Sequence, residues 1–181
     1  MIYAPYSLSS CDVCMKIDLN WTQRQIMTVE LLLEGNLDDL NAIYAQAQAD
    51  NLGYAGGVSP SKAWQLFSRG DALLVDVRSG EERKFVGHVP ESLHVPWATG
   101  TSLTRNPRFA RELEAKVAKD QVILLLCRSG KRSILAAQAA TKAGFTHVFN
   151  VLEGFEGEID THQHRGASDG WRFHGLPWVQ D

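Results

Sequence analysis

This chain is short of cysteine, short of net charge and without any long apolar run, and each shortage closes off a class of function. Three cysteines do not build a disulfide framework, so a reducing cytoplasm is the expected compartment. A net charge of −3 offers no basic surface to nucleic acid or to a membrane. No apolar stretch approaches the roughly 20 residues of a membrane span. The N-terminus lacks the basic start and apolar core of a secretion signal. The hydrophobic fraction of 44% and the charged fraction of 22% are those of an ordinary globular chain. At 181 residues the length suits one domain with an appendage and is enough for a three-layer core.

The most informative absence is local. From Gln121 to Leu152 there is no Asp or Glu, while Arg128, Lys131, Arg132 and Lys142 all fall inside that stretch. Its apolar run Val122–Leu126 has the length and composition of a buried strand and stops at Cys127. Arg128, Ser129, Gly130, Lys131 and Arg132 make a short cationic loop. Ser133 then leads into an alanine-rich helix that Gly144 closes. The order is strand, loop, helix, with a cysteine at the carboxyl end of the strand. A loop entering a helix N-terminus gathers unpaired backbone N–H groups and the positive end of the helix dipole. Both favour the thiolate, the nucleophilic form of cysteine. Three cations within five residues of Cys127, with no local acid, arrange it to meet an anion. The plainer alternative is a buried cysteine ending a core strand, with a solvated basic turn behind it.

Along the chain, residues 1–26 show no convincing periodicity. Cys11 and Cys14 have the spacing of half a zinc site or of a redox pair, but no second pair completes a site. Met27 is a second candidate start. Asn36 caps a helix over residues 37–51, whose stripe of Leu37, Leu40, Tyr44 and Ala47 suits packing on the main domain or on a second copy in a homodimer. Residues 1–53 are therefore read as an N-terminal extension, and residues 54–181 as the main domain. Ser59 and Pro60 begin a helix that Gly70 ends. Ala72–Val77 reads as a buried strand broken only by Asp76, an acid that must find partners in Arg78 or in loop amides. Arg78 either adds positive potential at a pocket mouth or pairs with Asp76 or Glu82. Glu81–Phe85 is a helical turn, Ser92–Val95 a short strand, Thr99–Asn106 a polar flap and Pro107–Ala118 a helix. Thr146–Val151 is a further strand. Short apolar strands alternating with helices argue an α/β fold with a central parallel sheet and helices on both faces. Ligands of such sheets bind at the carboxyl ends of the strands, where Cys127 and Arg78 lie. Glu153–Asp160 holds four acids in eight residues and is followed by His162, His164 and Arg165. A His-x-His near acids can bind a metal, but a solvated loop is the plainer reading, and the segment is also placed to shape a pocket entrance or a partner surface.

Cys-Arg-Ser-Gly-Lys-Arg-Ser at 127–133 resembles the active-site loop of the rhodanese (thiosulfate sulfurtransferase) family. Leu73–Arg78 with Asp-Val-Arg, then Glu82, Gly87-His88-Val89-Pro90, His94-Val95-Pro96-Trp97, Gly154-Phe155 and Gly175-Leu176-Pro177-Trp178 resemble other segments of that family in order and spacing. The likeness covers about Val58–Val179. It implies a rhodanese-like three-layer fold behind an N-terminal helical extension. It also implies sulfane-sulfur transfer through a Cys127 persulfide, from an anionic donor such as thiosulfate to cyanide or a thiol. Arg128, Ser129, Gly130, Lys131, Arg132, Ser133 and Arg78 would form the substrate site. Asp76 and His88 would be structural beside it. No metal or organic cofactor is implied, and a protein partner in a sulfur relay is compatible with it. Two other readings stay open: a sulfur-carrying or regulatory module with little turnover, and a phosphatase or arsenate reductase. Tyrosine-type phosphatases carry the loop arginine six residues after the cysteine. Here Arg132 lies five residues after Cys127, which makes a tighter ring of amides.

Overall fold

A computed structural model describes residues 38–180. The expectations for residues 1–37, including Cys11 and Cys14 and the Met27 start, lie outside the described residues. Five parallel strands form the central sheet in the order β1-β7-β6-β2-β3. They are β1 (Gly57–Val58), β2 (Leu73–Asp76), β3 (Leu93–His94), β6 (Val122–Leu126) and β7 (His147–Val151). A separate antiparallel ribbon pairs β4 (Ala98–Thr99) with β5 (Thr104–Arg105). The helices are α1 (residues 38–49), α2 (Pro60–Arg69), α3 (Gly80–Val86), α4 (Phe109–Glu114) and α5 (Lys131–Lys142).

Strand side chains alternate between the two faces of the sheet, and the core divides accordingly. Ile123, Leu125 and Cys127 face one cluster with Phe109 and Leu113 of α4 and Ala136, Ala137 and Ala140 of α5. Leu124, Leu126, Phe149 and Val151 face the other, with Leu66 of α2, Phe155 and Trp171. The alanines on α5 let that helix lie close to the sheet. Helix α1, read from the sequence as part of an extension, buries Leu40 in the second cluster and packs Ile43 against it. The result is the three-layer α/β architecture expected of the residues.

Local signals explain most element ends. Ser59 accepts from the Lys62 amide at the start of α2, Pro60 occupies its first turn, and Gly70 closes it in the left-handed region. Ser79 and Glu82 form a reciprocal capping box on α3. Helix α4 is shorter than the sequence suggests. Asn106 takes the Arg108 amide at its Oδ1, 2.9 Å away, and donates to the Pro96 carbonyl. That side chain holds Pro107 and Arg108 in a turn ahead of the helix. The expected flap is the β4–β5 hairpin.

Candidate active site

Strand β6 delivers Cys127 to the carboxyl edge of the sheet, and Gly130 starts α5 three residues later with φ +82°. A side chain at Gly130 would be strained by that φ and would meet the Glu153 amide at 3.4 Å. The segment after β7 grips the loop from behind. The Phe155 amide donates to the Cys127 carbonyl at 2.8 Å, and the Glu156 and Gly157 amides donate to the Arg128 carbonyl at 2.9 and 3.1 Å. Gly154 permits this approach: a Cβ there would lie 2.5–2.6 Å from backbone atoms of Arg128 and Cys127. In a planar trans peptide the N–H points opposite to the C=O. Fixing these two carbonyls therefore turns the Arg128 and Ser129 N–H groups the other way. Among the described residues, the amides of Arg128 to Ser133 donate to no carbonyl and no side chain.

Cys127 is 1% exposed, yet it contributes to the wall of an open pocket of about 320 Å³. Leu103, Arg128, Ser129, Lys131, Arg132, Glu158 and Arg165 complete the lining. Ser133, fully buried in the first turn of α5, places its Oγ 3.1 Å from Cys127 Sγ, 3.0 Å from the Gly130 carbonyl and 2.6 Å from Asn150 Oδ1. Its single hydroxyl proton serves one of these acceptors at a time.

The expected site residues divide. Cys127, Arg128, Ser129, Lys131 and Arg132 line the pocket, while Gly130 caps α5 and Ser133 contacts Cys127 Sγ. The cations do not all face it freely. Arg132 donates to both Glu82 oxygens at 2.6 and 2.7 Å. Burial works against the charged Arg132 guanidinium, but Glu82 outweighs it and holds the group above its ordinary pKa. Lys131 pairs with Glu158 at 2.9 Å. Lys131, with a smaller contribution from Arg165, holds the Glu158 carboxyl below its ordinary value. Arg128 has no ion pair among the described residues.

Arg78 is a correction. It is fully buried rather than at the pocket mouth. Its Nε and Nη2 grip Asp76, Nη2 also donates to the Gly87 carbonyl at 2.7 Å, and the guanidinium lies 4.0 Å over the Phe155 ring. Burial explains the commitment, since an unpaired guanidinium there would be far too costly. Asp76 accepts in addition from the Arg78 amide and from Arg83. His88 exchanges backbone hydrogen bonds of 2.8 Å with Val179 and so ties down the C-terminal tail. His94 Nε2 lies 2.9 Å from the Arg78 carbonyl, and burial pushes its imidazole below the ordinary value. His162 and His164 donate their backbone amides to Asp160 in an exposed loop. Among the described residues no group of three or more His, Cys, Asp or Glu is placed to hold a metal ion. No described helix is long and apolar enough to cross a membrane.

Sequence reasoning did not single out four contributors: Glu82 as the partner of Arg132, Asn150, Glu158 and Arg165, the last two lying in the segment expected at a pocket entrance or a partner surface. Asn150 left a signal, a polar side chain inside the apolar strand His147–Val151. Glu82 left one as the third residue after the capping Ser79, though that pattern does not name Arg132.

A strand-end thiol, adjoining backbone amides without an acceptor and a cationic rim make this a cysteine-loop α/β domain. The chain belongs to the rhodanese-like domain family, whose model matches residues 59–158. It is similar to the crystal structure of Rv0390 from M. tuberculosis, with 46% identity and a TM-score of 0.65, covering 71% of this chain and 99% of that one. An uncharacterized RP600 homolog from Rickettsia rickettsii is 33% identical over 127 residues, 67% of this chain and 94% of that protein. The thiosulfate sulfurtransferase GlpE of Actinobacillus pleuropneumoniae is 28% identical over 120 residues, 66% of this chain and 89% of that protein.

Proposed function

We propose that this protein transfers sulfane sulfur, from an anionic donor such as thiosulfate to a thiol or cyanide, through a persulfide on Cys127. The observation that carries the reading is Cys127 at the wall of the cationic pocket, beside amides that have no acceptor of their own. In the first half-reaction the Cys127 thiolate attacks the outer sulfur of thiosulfate. The S–S bond of the donor breaks, its electron pair leaves with sulfite, and Cys127 keeps a terminal anionic sulfur. The loop amides stabilise that sulfur as an oxyanion hole stabilises oxygen. In the second half-reaction the acceptor attacks the terminal sulfur, and the electron pair of the breaking bond returns to Sγ. Ser133 is placed to donate its proton to Sγ as that charge returns.

Loop size favours sulfur over phosphate. With Arg132 five residues after Cys127 and its guanidinium engaged by Glu82, the amide ring is small and the arginine is drawn to the side. The thiosulfate sulfurtransferase among the similar proteins supports the donor class. The test is a thiosulfate-to-cyanide assay with intact mass spectrometry. Wild type should gain one sulfur on Cys127, and Cys127→Ser should lose both the adduct and the turnover. Activity retained by Cys127→Ser would remove the nucleophile. Hydrolysis of an aryl phosphate without a sulfur adduct would replace the reaction class.

A further inference from the structure

Beside the Cys127 pocket runs a second, larger groove of about 440 Å³, lined by Trp97, Arg105, Leu135, Gln138, Ala139 and Lys142. The β4–β5 hairpin and α5 contribute residues to both. On one side, Leu103 at the tip of the β4–β5 hairpin lines the pocket, and Arg105 two residues on lines the groove. On the other side, Lys131 begins α5 in the pocket, and Leu135, one turn along, begins the groove. From Leu135 to Lys142 the helix adds about 10 Å, the reach of a short peptide segment.

The lining mixes apolar residues with charge of one sign. Leu135 is 53% exposed, and the Trp97 ring lies under the Arg105 guanidinium, 4.8 Å from its centroid. Gln138 is fixed by a hydrogen bond to the Leu52 carbonyl, so this wall is held in place. No carboxylate lines the groove, and among the described residues neither Arg105 nor Lys142 has an ion pair. Two cations without carboxylate partners thus flank a half-exposed leucine and give the groove a positive face.

We infer that this groove docks an acidic, leucine-containing segment of a protein sulfur acceptor and aims that segment's thiol at Cys127. This rests on the persulfide chemistry proposed above. Acids of the segment would meet Arg105 and Lys142, and its apolar side chains would cover Leu135. The thiolate of the segment then attacks the terminal sulfur of the Cys127 persulfide. One S–S bond forms as the other breaks, the electron pair returns to Cys127 Sγ, and no outside oxidant or reductant is consumed.

The test uses the full chain, loaded with thiosulfate and desalted. The probes are a peptide of three glutamates, two leucines and a terminal cysteine, its lysine counterpart, and β-mercaptoethanol as a small neutral thiol. Fluorescein-labelled, cysteine-free versions of both peptides report binding by anisotropy, independently of sulfur chemistry. Wild type should pass sulfur to the acidic peptide about tenfold faster than to the lysine peptide. Arg105→Glu/Lys142→Glu should reverse that order and leave transfer to β-mercaptoethanol unchanged. Lys142→Glu alone, at an exposed last-turn position, should give part of the effect and guards against misfolding of the double variant. Equal use of the two peptides, or an acidic preference untouched by charge reversal, would overturn the docking site. Charge-dependent binding of the labelled peptides without any persulfide would support the groove and instead sink the proposed reaction.

Discussion

Replacing Glu82 with glutamine perturbs the contact that joins the first turn of α3 to the first turn of α5. The Glu82 carboxylate accepts from Arg132 at 2.6 and 2.7 Å and from the Ser79 amide at 3.0 Å. The side chains of Arg132 and Glu82 are only 17% and 15% exposed. A fully exposed pair is worth about 0–1 kcal/mol, whereas breaking a dry, buried one costs about 3–5 kcal/mol. This pair lies between those limits, and glutamine keeps some of the neutral hydrogen bonding, so a loss of about 2–3 kcal/mol is expected. For a domain of this size that lowers Tm by on the order of 5–10 °C. The pH dependence has a definite sign. Burial acts to raise the Glu82 carboxyl, but the hydrogen bonds from Arg132 and the Ser79 amide overcome it and hold it below its ordinary value. A carboxyl depressed in the folded state stabilises fully above its unfolded pKa, about 4.3, and loses that contribution as pH falls through the folded value. The stability gap between wild type and Glu82→Gln should therefore stay constant from pH 7 to about pH 5 and narrow below that. Urea unfolding followed by circular dichroism at several pH values measures it. A variant within about 0.5 kcal/mol of wild type at pH 7, or a gap that widens on acidification, would refute the reasoning.

Two further outcomes follow from the pocket. Ser133→Ala removes the hydroxyl shared between Cys127 Sγ and Asn150, and should lower kcat for sulfur transfer about tenfold with little change in KM for the donor. Single-turnover kinetics separate this from a change in donor binding, and an unchanged kcat would remove Ser133 from the chemistry. Glu158→Gln releases Lys131 from its ion pair and should lower KM for thiosulfate severalfold, with a steeper dependence on ionic strength. A KM that rises instead would mean that Glu158 holds Lys131 in its working position rather than competing with the donor.

Much of the architecture was legible because the signals are local. The run Val122–Leu126, Ser59 with Pro60, Ser79 with Glu82, and the alanines of α5 each state a strand, a cap or a packing face within a few residues. The strand–loop–helix order around Cys127 was legible for the same reason. Partner choice was not. Arg78 could equally have faced the pocket or Asp76, and only burial of the strand end assigns it to Asp76, beneath Phe155. Arg132 finds Glu82 across 50 residues of chain, and Lys131 finds Glu158 across 27.

The sequence by itself determined the layered α/β fold and which sulfur stands at the carboxyl edge of the sheet, because periodicity, capping and loop length are short-range properties. Tertiary structure alone decided which cations remain open to a ligand. Opposite charges brought together under partial burial neutralise one another. Distant carboxylates therefore engage Arg132 and Lys131, while Arg128, Arg105 and Lys142 are left without carboxylate partners.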